Sequence, residues 1–143
     1  MTTPSRFHRK GAVRGSARLW RAFLASMQGL RSAFEDEEAF RLEVVAALIL
    51  IPLALILPFS TLEKLALVGV IFFVLVTELL NSGIEATVDL ASAEYHPLAK
   101  KAKDIASAAV FLSLVLAGAV WITLIVFNLD LIRACLPMAG SEP

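Results

Sequence analysis

A stripe of polar side chains runs through a long apolar segment in the middle of the sequence. Glu78, Asn81 and Glu85 follow one another at spacings of three and four residues, which a helix places on one face. Asp89 continues the stripe one turn further. Two carboxylates and an amide suit either of two tasks: holding a hard divalent cation such as Mg²⁺, or transferring a proton through a buried carboxylate. Hydrogen bonding between helices is the structural alternative, and it explains Asn81 more readily than two carboxylates.

Two further groups of charged residues flank the apolar segments. The first segment opens on the acidic residues Glu35, Asp36, Glu37, Glu38 and Glu43. Acids near a helix start are favourable through the helix dipole, so some of these residues act as plain caps. Lys103 and Asp104 open the third segment, where the lysine suits either anchoring at a membrane surface or binding a phosphate.

His96 and the glycines limit the kinds of site that the sequence can form. His96 precedes Pro97, a residue that fits the first position of a helix, so we expect His96 in a loop rather than among metal ligands. None of the seven glycines belongs to a G-x-x-x-x-G-K-[ST], G-x-G-x-x-G or G-x-S-x-G motif. If a nucleotide binds, side chains and a metal must therefore hold its phosphates.

Three long apolar segments are the elements that must position these side chains. No charged residue occurs from Val44 to Leu62 or from Ile105 to Leu129, and from Leu65 to Ile84 only Glu78 is charged. These lengths match membrane-spanning helices, whereas buried helices of a soluble bundle rarely stay uncharged on every face for so long. A carboxylate at the depth of Glu78 costs about 2.5–3.5 kcal/mol on insertion scales and usually marks a polar site. The sequence predicts an all-α integral membrane protein with spans at about 38–59, 63–90 and 98–129.

The residues before the first span divide into a basic arm and an amphipathic helix. Apolar residues recur at steps of three and four from about 15 to 33, with Arg18 and Arg21 between them, which is typical of a helix on the membrane surface. Lysines and arginines concentrate in the N-terminal residues and before the third span, so we expect both regions on the cytoplasmic side. The predicted organisation is a mobile basic arm (1–14), a single membrane domain (15–130) and a C-terminal tail (131–143).

Composition bounds the class of protein. The 143 residues allow one domain, and 58% of them are hydrophobic and 18% charged, against about 45–50% and about 25% in soluble domains. Thirteen basic and thirteen acidic residues balance, which argues against a nucleic-acid binder with a global basic excess. The single cysteine, Cys135, excludes an intrachain disulfide and a zinc site built on cysteines.

Two stretches of the sequence together resemble the signature of the small prokaryotic diacylglycerol kinases. The first is ELLNSGIEATVD, from Glu78 to Asp89, and the second is EYHPLAKKAKDIASAAV, from Glu94 to Val110. The family pattern is close to E-x-x-N-[ST]-A-I-E-x-x-x-D, followed by E-[YF]-H and A-K-D-x-[AGS]-[AS]-A-A-V. The tripeptide at 29–31 and the stretch EEAFRLE at 37–43 fit as well, and the resemblance extends from about 18 to 125.

The resemblance implies a homotrimer in the bacterial inner membrane, with three spans, a surface helix and a cytoplasmic N-terminus. It implies transfer of the ATP γ-phosphoryl group to the hydroxyl of diacylglycerol, giving phosphatidic acid, with Mg²⁺. The family also contains undecaprenol kinases, which phosphorylate a long polyprenyl alcohol, and the stretch from Tyr95 to Lys100 has a form also found among them. The ending Ser107-Ala-Ala-Val110 and the Arg-rich surface helix favour diacylglycerol.

Site residues follow from the resemblance, position by position. Glu78 corresponds to the catalytic base, and Glu37 and Glu85 to the carboxylates that hold the metal with the ATP phosphates. The resemblance assigns further residues to the nucleotide: Arg18, Glu94, Tyr95, His96, Lys103 and Asp104. Beside Glu78, it assigns others to the lipid substrate: Arg18, Arg31, Phe40, Arg41, Glu43, Asn81 and Ser107.

The sequence departs from the family pattern in two places. Gly83 stands where the family usually has alanine, which lowers helix propensity and permits closer packing. Ala25–Met27 stands where some members have Tyr-Ser-Trp, among contacts to adenine and lipid.

Outside this family, a small proton-coupled transporter would also use a deep carboxylate such as Glu78, but it needs no metal and phosphate cluster at one surface.

Overall fold

The computed structural model describes residues 15–91 and 94–135. The regular secondary structure of that part of the chain consists of helices without strands. The helices are α1 (Gly15–Asp36), α2 (Glu38–Ile56), α3 (Thr61–Ala91), α4 (Pro97–Phe127) and α5 (Leu129–Cys135). The predicted all-α class is confirmed. The predicted arm at 1–14 and the tail residues 136–143 lie outside the described residues, and the first residues of the predicted tail belong to α5.

Helices α2, α3 and α4 are each long and apolar enough to cross a membrane. In their most apolar stretches no more than 22% of the residues are buried within the single chain, so most of each helix surface faces outward. Surfaces as apolar as these are stable against lipid or other protein and unfavourable in water. The prediction of a membrane protein with three spans is therefore confirmed.

Helix α3 is the centre of the fold, because it packs against both α2 and α4. A buried apolar cluster joins the three helices near the α2–α3 turn and consists of Ala47, Ala54, Phe59, Leu67, Ile71 and Trp121. Ala54 and Leu67 are fully buried, and the small side chain of Ala54 allows a close helix approach. This cluster holds α2, α3 and α4 together at one end of the bundle, and the polar stripe of α3 lies toward the other end.

A polar clamp, formed by Ser60, Glu63 and Asn128, also ties α3 to α4 at this end. Ser60 and Glu63 form a capping box: Glu63 Oε2 accepts from the backbone N of Ser60 at 2.8 Å, and Ser60 Oγ accepts from the backbone N of Glu63 at 3.3 Å. Asn128 Nδ2, just after α4, donates to Glu63 Oε1 at 3.0 Å. Glu63 thus orders the start of α3 and joins it to the end of α4.

The junction of α1 and α2 is held by an arginine. The Arg41 guanidinium donates to the carbonyl oxygens of Phe34 at 3.2 Å and Glu35 at 3.0 Å, which belong to the last turn of α1. These carbonyls have no partner within their own helix, so the arginine satisfies them. The helix is interrupted at Glu37, whose backbone is extended with φ −108° and ψ 117°. A helix is present where the amphipathic surface helix was predicted, and its large apolar side chains are exposed in the single chain.

Candidate active site

Glu78 is buried in α3 although it carries a carboxylate. Only 4% of its surface is exposed, and no other charged residue in the described ranges is buried. Asn81 follows on the next turn and donates from Nδ2 to Glu85 Oε1 at 3.5 Å. The Oδ1 atom of Asn81 is buried and has no hydrogen-bond partner in the described chain. Because a buried acceptor without a donor is unfavourable, this oxygen is suited to a ligand or a neighbouring chain.

Carboxylates from two other segments approach Glu78 and complete what we call the carboxylate cluster: Glu37, Glu43, Glu78 and Glu85. Glu37, between α1 and α2, and Glu85 are both close enough to Glu78 to interact with it electrostatically. Glu43, further along α2, also interacts with Glu78, and its Oε2 atom is buried without a partner in the described chain. The fold therefore gathers side chains that are about forty residues apart in sequence.

One lysine faces the carboxylate cluster from α4. Lys103 Nζ donates to both carboxylate oxygens of Asp89, at 3.1 and 3.2 Å. The same ammonium interacts electrostatically with Glu85 and Glu37. Lys103 is therefore a cation that links α4 to the carboxylates of α3 and of the α1–α2 junction.

A cavity of about 630 Å³ lies between α1 and α3, beside the carboxylate cluster. Its wall consists largely of small residues: Ser26, Gly29 and Ala33 from α1, and Ser82, Gly83 and Ala86 from α3. Asp36 and Glu37 also line it. The volume is within the ~300–1,000 Å³ range of small-molecule sites. Since Glu37 belongs to both, the cavity adjoins the carboxylate cluster at that residue.

Several residues that the resemblance assigns to the lipid already have structural contacts. Phe40 is buried at the start of α2, with 4% of its surface exposed. Arg41 is engaged with the last carbonyls of α1, and Arg31 forms an ion pair with Glu35 at 2.8 Å within the same helix. In the single chain these side chains support α1 and its junction with α2, and they are not gathered at a shared lipid site.

Residues around the start of α4 are likewise spread out in the single chain. His96 caps the helix: its Nδ1 atom accepts from the backbone N of Leu98 at 3.2 Å, and α4 begins at Pro97, as predicted. Asp104 accepts from Lys100 at 2.6 Å. Other residues assigned to nucleotide or lipid are exposed, namely Arg18, Glu94, Tyr95 and Ser107.

The carboxylate cluster fits a divalent cation that is shared with a substrate. Within residues 15–91 and 94–135, no three His, Cys, Asp or Glu side chains are placed to hold a metal ion together. Mg²⁺, however, is usually bound through one or two carboxylates together with substrate phosphates and water. Glu37 and Glu85 fit such a pair, because both lie near Glu78 and a divalent cation would offset the mutual repulsion of these carboxylates.

Sequence reasoning missed two arrangements that the structure contains. From the sequence, Asp89 belongs to the polar stripe and Lys103 to the start of the third apolar segment. In the structure they form an ion pair, because α3 and α4 pack as neighbours and the end of one lies beside the start of the other. The polar clamp was missed as well, although Ser60 and Glu63 have the S-x-x-E spacing of a capping box.

Replacing Gly83 by alanine is expected to stabilise the protein. A Cβ atom at this position would meet nothing within 4 Å, so the glycine does not serve close packing within the chain. Alanine should raise the free energy of unfolding by about 0.5–1 kcal/mol, the usual difference from glycine inside a helix. Unfolding by SDS in mixed micelles, followed by circular dichroism, measures the change. A loss of stability would instead indicate that another chain packs against Gly83.

Comparison with known proteins places this arrangement in a family. The family model described as prokaryotic diacylglycerol kinase matches residues 24–125. A diacylglycerol kinase of Pseudomonas aeruginosa is 43% identical over 123 residues, covering 86% of this chain and 98% of the relative. That of Haemophilus influenzae is 45% identical over 96 residues, covering 67% and 81%, and that of Escherichia coli (strain K12) is 39% identical over 111 residues, covering 78% and 91%. The family match includes the whole carboxylate cluster and Lys103, and the chain belongs to the prokaryotic diacylglycerol kinase family.

Proposed function

We propose that the protein is an ATP-dependent diacylglycerol kinase, which transfers the γ-phosphoryl group of ATP to the hydroxyl of diacylglycerol and releases phosphatidic acid and ADP. The observation that carries this proposal is the burial of Glu78 within electrostatic range of Glu37 and Glu85. A buried base beside two carboxylates that can share a metal with ATP suits phosphoryl transfer to an alcohol. Membership in a kinase family favours this activity over the proton transport that Glu78 alone would also allow.

Glu78 is the group that accepts the proton of the lipid hydroxyl in this mechanism. The hydroxyl oxygen attacks the γ-phosphorus, the bond from that phosphorus to the oxygen bridging it to the β-phosphorus breaks, and ADP leaves. The burial of Glu78 keeps water from competing with the lipid as acceptor. Asn81 donates from Nδ2 to Glu85, and its unpartnered Oδ1 can accept a hydrogen bond from a water in the site or from a neighbouring chain.

Lys103, Glu37 and Glu85 form the phosphate side of the proposed site. The Lys103 ammonium neutralises negative charge on the ATP phosphates, a task for which lysine is well suited as a point charge. Glu37 and Glu85 would hold Mg²⁺, which when bound neutralises the phosphate oxygens of ATP. The cavity between α1 and α3 adjoins Glu37 and has room for part of the nucleotide or the lipid headgroup.

We further propose that the protein acts as a homotrimer in the bacterial inner membrane, with its N-terminus in the cytoplasm. The orientation is supported by the Lys and Arg residues of the N-terminal region and of the link before α4. Assembly is supported by polar atoms that are buried without partners in the described chain, namely Glu43 Oε2, Asn81 Oδ1 and Trp121 Nε1. A second copy can supply partners for such atoms and cover the exposed spans.

A radiolabelled-ATP assay on the purified protein in mixed micelles tests the proposed function. With Mg²⁺ present, we expect label to appear in phosphatidic acid when diacylglycerol is offered, and much less label in undecaprenyl phosphate when undecaprenol is offered. The reverse preference would assign the chain to the undecaprenol kinases, and transfer to neither lipid would refute a lipid kinase. Light scattering of the same preparation, corrected for detergent, should give a particle of three chains.

A further inference from the structure

We propose that Asp89 is a positioning residue of the kinase, which holds the Lys103 ammonium in place for the phosphates of ATP. Asp89 has no part in the proposed function described above, on which this assignment rests. The residue lies near the end of α3, beyond Glu85 and on the side of α3 that leads to α4 in the sequence. Its carboxylate accepts from Lys103, which lies in the first turns of α4.

The ion pair between Asp89 and Lys103 fixes a side chain across two helices. Both carboxylate oxygens accept from Lys103 Nζ, at 3.1 and 3.2 Å, although the two residues are fourteen positions apart. The neighbouring pair of Lys100 and Asp104 spans four positions within α4. A pair at that spacing supports its own helix, whereas the Asp89 pair sets where the Lys103 ammonium lies relative to α3.

Lys103 also faces carboxylates that would otherwise compete for it. Its ammonium interacts electrostatically with Glu85 and Glu37, the two residues proposed to hold Mg²⁺. Lysine carries its charge on a flexible four-carbon stem, so without an anchor the ammonium can settle on either carboxylate in place of the metal. Asp89 keeps it at the edge of the carboxylate cluster. Because an ammonium has three N–H donors, one remains for a phosphate oxygen when two point toward Asp89.

The solvent exposure of Asp89 and Lys103 allows a positioning role of their ion pair to be distinguished from a role in folding stability. The Lys103 side chain is 35% exposed and the Asp89 side chain 66% exposed. Ion pairs with this much solvent contact contribute little to folding stability. The loss of the Asp89 charge should therefore appear in the use of ATP and leave the stability of the protein nearly unchanged.

The variant Asp89→Asn tests this role, and Asn128→Ala is its matched control. Asn128 also ties α3 to α4, but through Glu63 at the opposite end of the helices. For Asp89→Asn we expect the KM for MgATP to rise about tenfold, equivalent to a loss of about 1.4 kcal/mol, with the KM for diacylglycerol and the SDS unfolding midpoint unchanged. Asp89→Glu should recover most of the ATP affinity. Asn128→Ala should leave the KM for MgATP as in the wild type.

A second measurement asks whether Asp89 acts through Lys103. In a Lys103→Met background, Asp89→Asn should change the binding of a fluorescent ATP analogue no further, since the group that it positions is gone.

An unchanged KM for MgATP in Asp89→Asn would overturn the role, and so would additive effects of the two substitutions or the same kinetic loss in Asn128→Ala. A wild-type protein that phosphorylates neither lipid would refute the proposed function, and the role of Asp89 with it. An active wild type with an insensitive Asp89→Asn would refute the role of Asp89 alone.

Discussion

Replacing Glu78 by glutamine is expected to abolish phosphorylation of diacylglycerol while the protein still folds and inserts. Glutamine keeps the shape of glutamate but cannot serve as the base for the lipid hydroxyl. A positioned general base typically contributes about 10²–10⁴-fold to a rate, so we expect kcat to fall by about 10³-fold. The measurement is label transfer from ATP to diacylglycerol at saturating concentrations of both substrates, because saturation isolates the chemical step from binding.

The burial of Glu78 makes this variant a test of chemistry rather than of folding. Only 4% of the surface of Glu78 is exposed, and the residue lies near Glu37 and Glu85. A neutral amide of the same size removes a desolvated charge and the repulsion from its neighbours, so the free energy of unfolding should be maintained or raised. The KM for MgATP should stay close to that of the wild type, since Glu78 faces the lipid in the proposed mechanism.

Glu63→Gln is the matched control for Glu78→Gln, because it is the same substitution in the same helix. Glu63 contacts Ser60 and Asn128 at the start of α3, far from the carboxylate cluster. We expect its kcat to remain near the wild-type value, whatever its effect on stability. Near-normal turnover of Glu78→Gln would exclude Glu78 as the base, and equal losses in both variants would indicate a general disturbance of α3.

Much of the fold could be predicted from the sequence because a membrane leaves the backbone few choices. An uncharged stretch such as 105–129 cannot leave its peptide groups unpaired in lipid, so a helix is the expected form. The structure contains α2, α3 and α4 where apolar stretches predicted spans. The start of α4 could be predicted to the residue, since Pro97 fits the first helical position and His96 provides the cap.

The candidate site could be predicted along one helix and not between helices. Periodicity alone places Glu78, Asn81 and Glu85 on one face of α3, because the repeat of a helix is fixed. The approach of Glu37 to Glu78 depends on where α1 ends and α2 begins, and residue spacing in the sequence contains no such distance. Opposite charges at neighbouring helix ends indicate a pair such as Asp89 and Lys103 only once the antiparallel packing of α3 and α4 is known.

Arg41 shows how one residue can match a family motif and still have a local structural task. Arg41 is assigned to the lipid because it belongs to the family motif at 37–43. In the structure, the Arg41 guanidinium donates to two carbonyl oxygens at the end of α1. These bonds hold the junction on which the position of Glu37 depends. A substitution of Arg41 would therefore act on the carboxylate cluster through the backbone, even without any contact between Arg41 and a lipid.

Replacing Glu37 or Glu85 by glutamine is expected to weaken the use of Mg²⁺ and ATP rather than to remove the base. An amide is a poorer ligand for Mg²⁺ than a carboxylate because it lacks the charge. Loss of groups that only surround a metal site already lowers metal affinity by about 10–100-fold, so each variant should raise the Mg²⁺ concentration for half-maximal activity by at least about tenfold. Initial rates measured over a Mg²⁺ titration at fixed ATP give this value.

Glu38→Gln is the matched control for Glu37→Gln, since it changes the adjacent acid at the start of α2. Glu38 is exposed in the first turn of α2, and we expect its variant to keep the wild-type Mg²⁺ dependence.

Raising Mg²⁺ should restore activity to Glu37→Gln and Glu85→Gln, because mass action offsets a weakened ligand set. The same addition should leave Glu78→Gln inactive, because no concentration of metal replaces a missing base. An unchanged Mg²⁺ dependence in both ligand variants would exclude these carboxylates as metal ligands, and equal rescue of Glu78→Gln would assign Glu78 to the metal instead of the lipid hydroxyl.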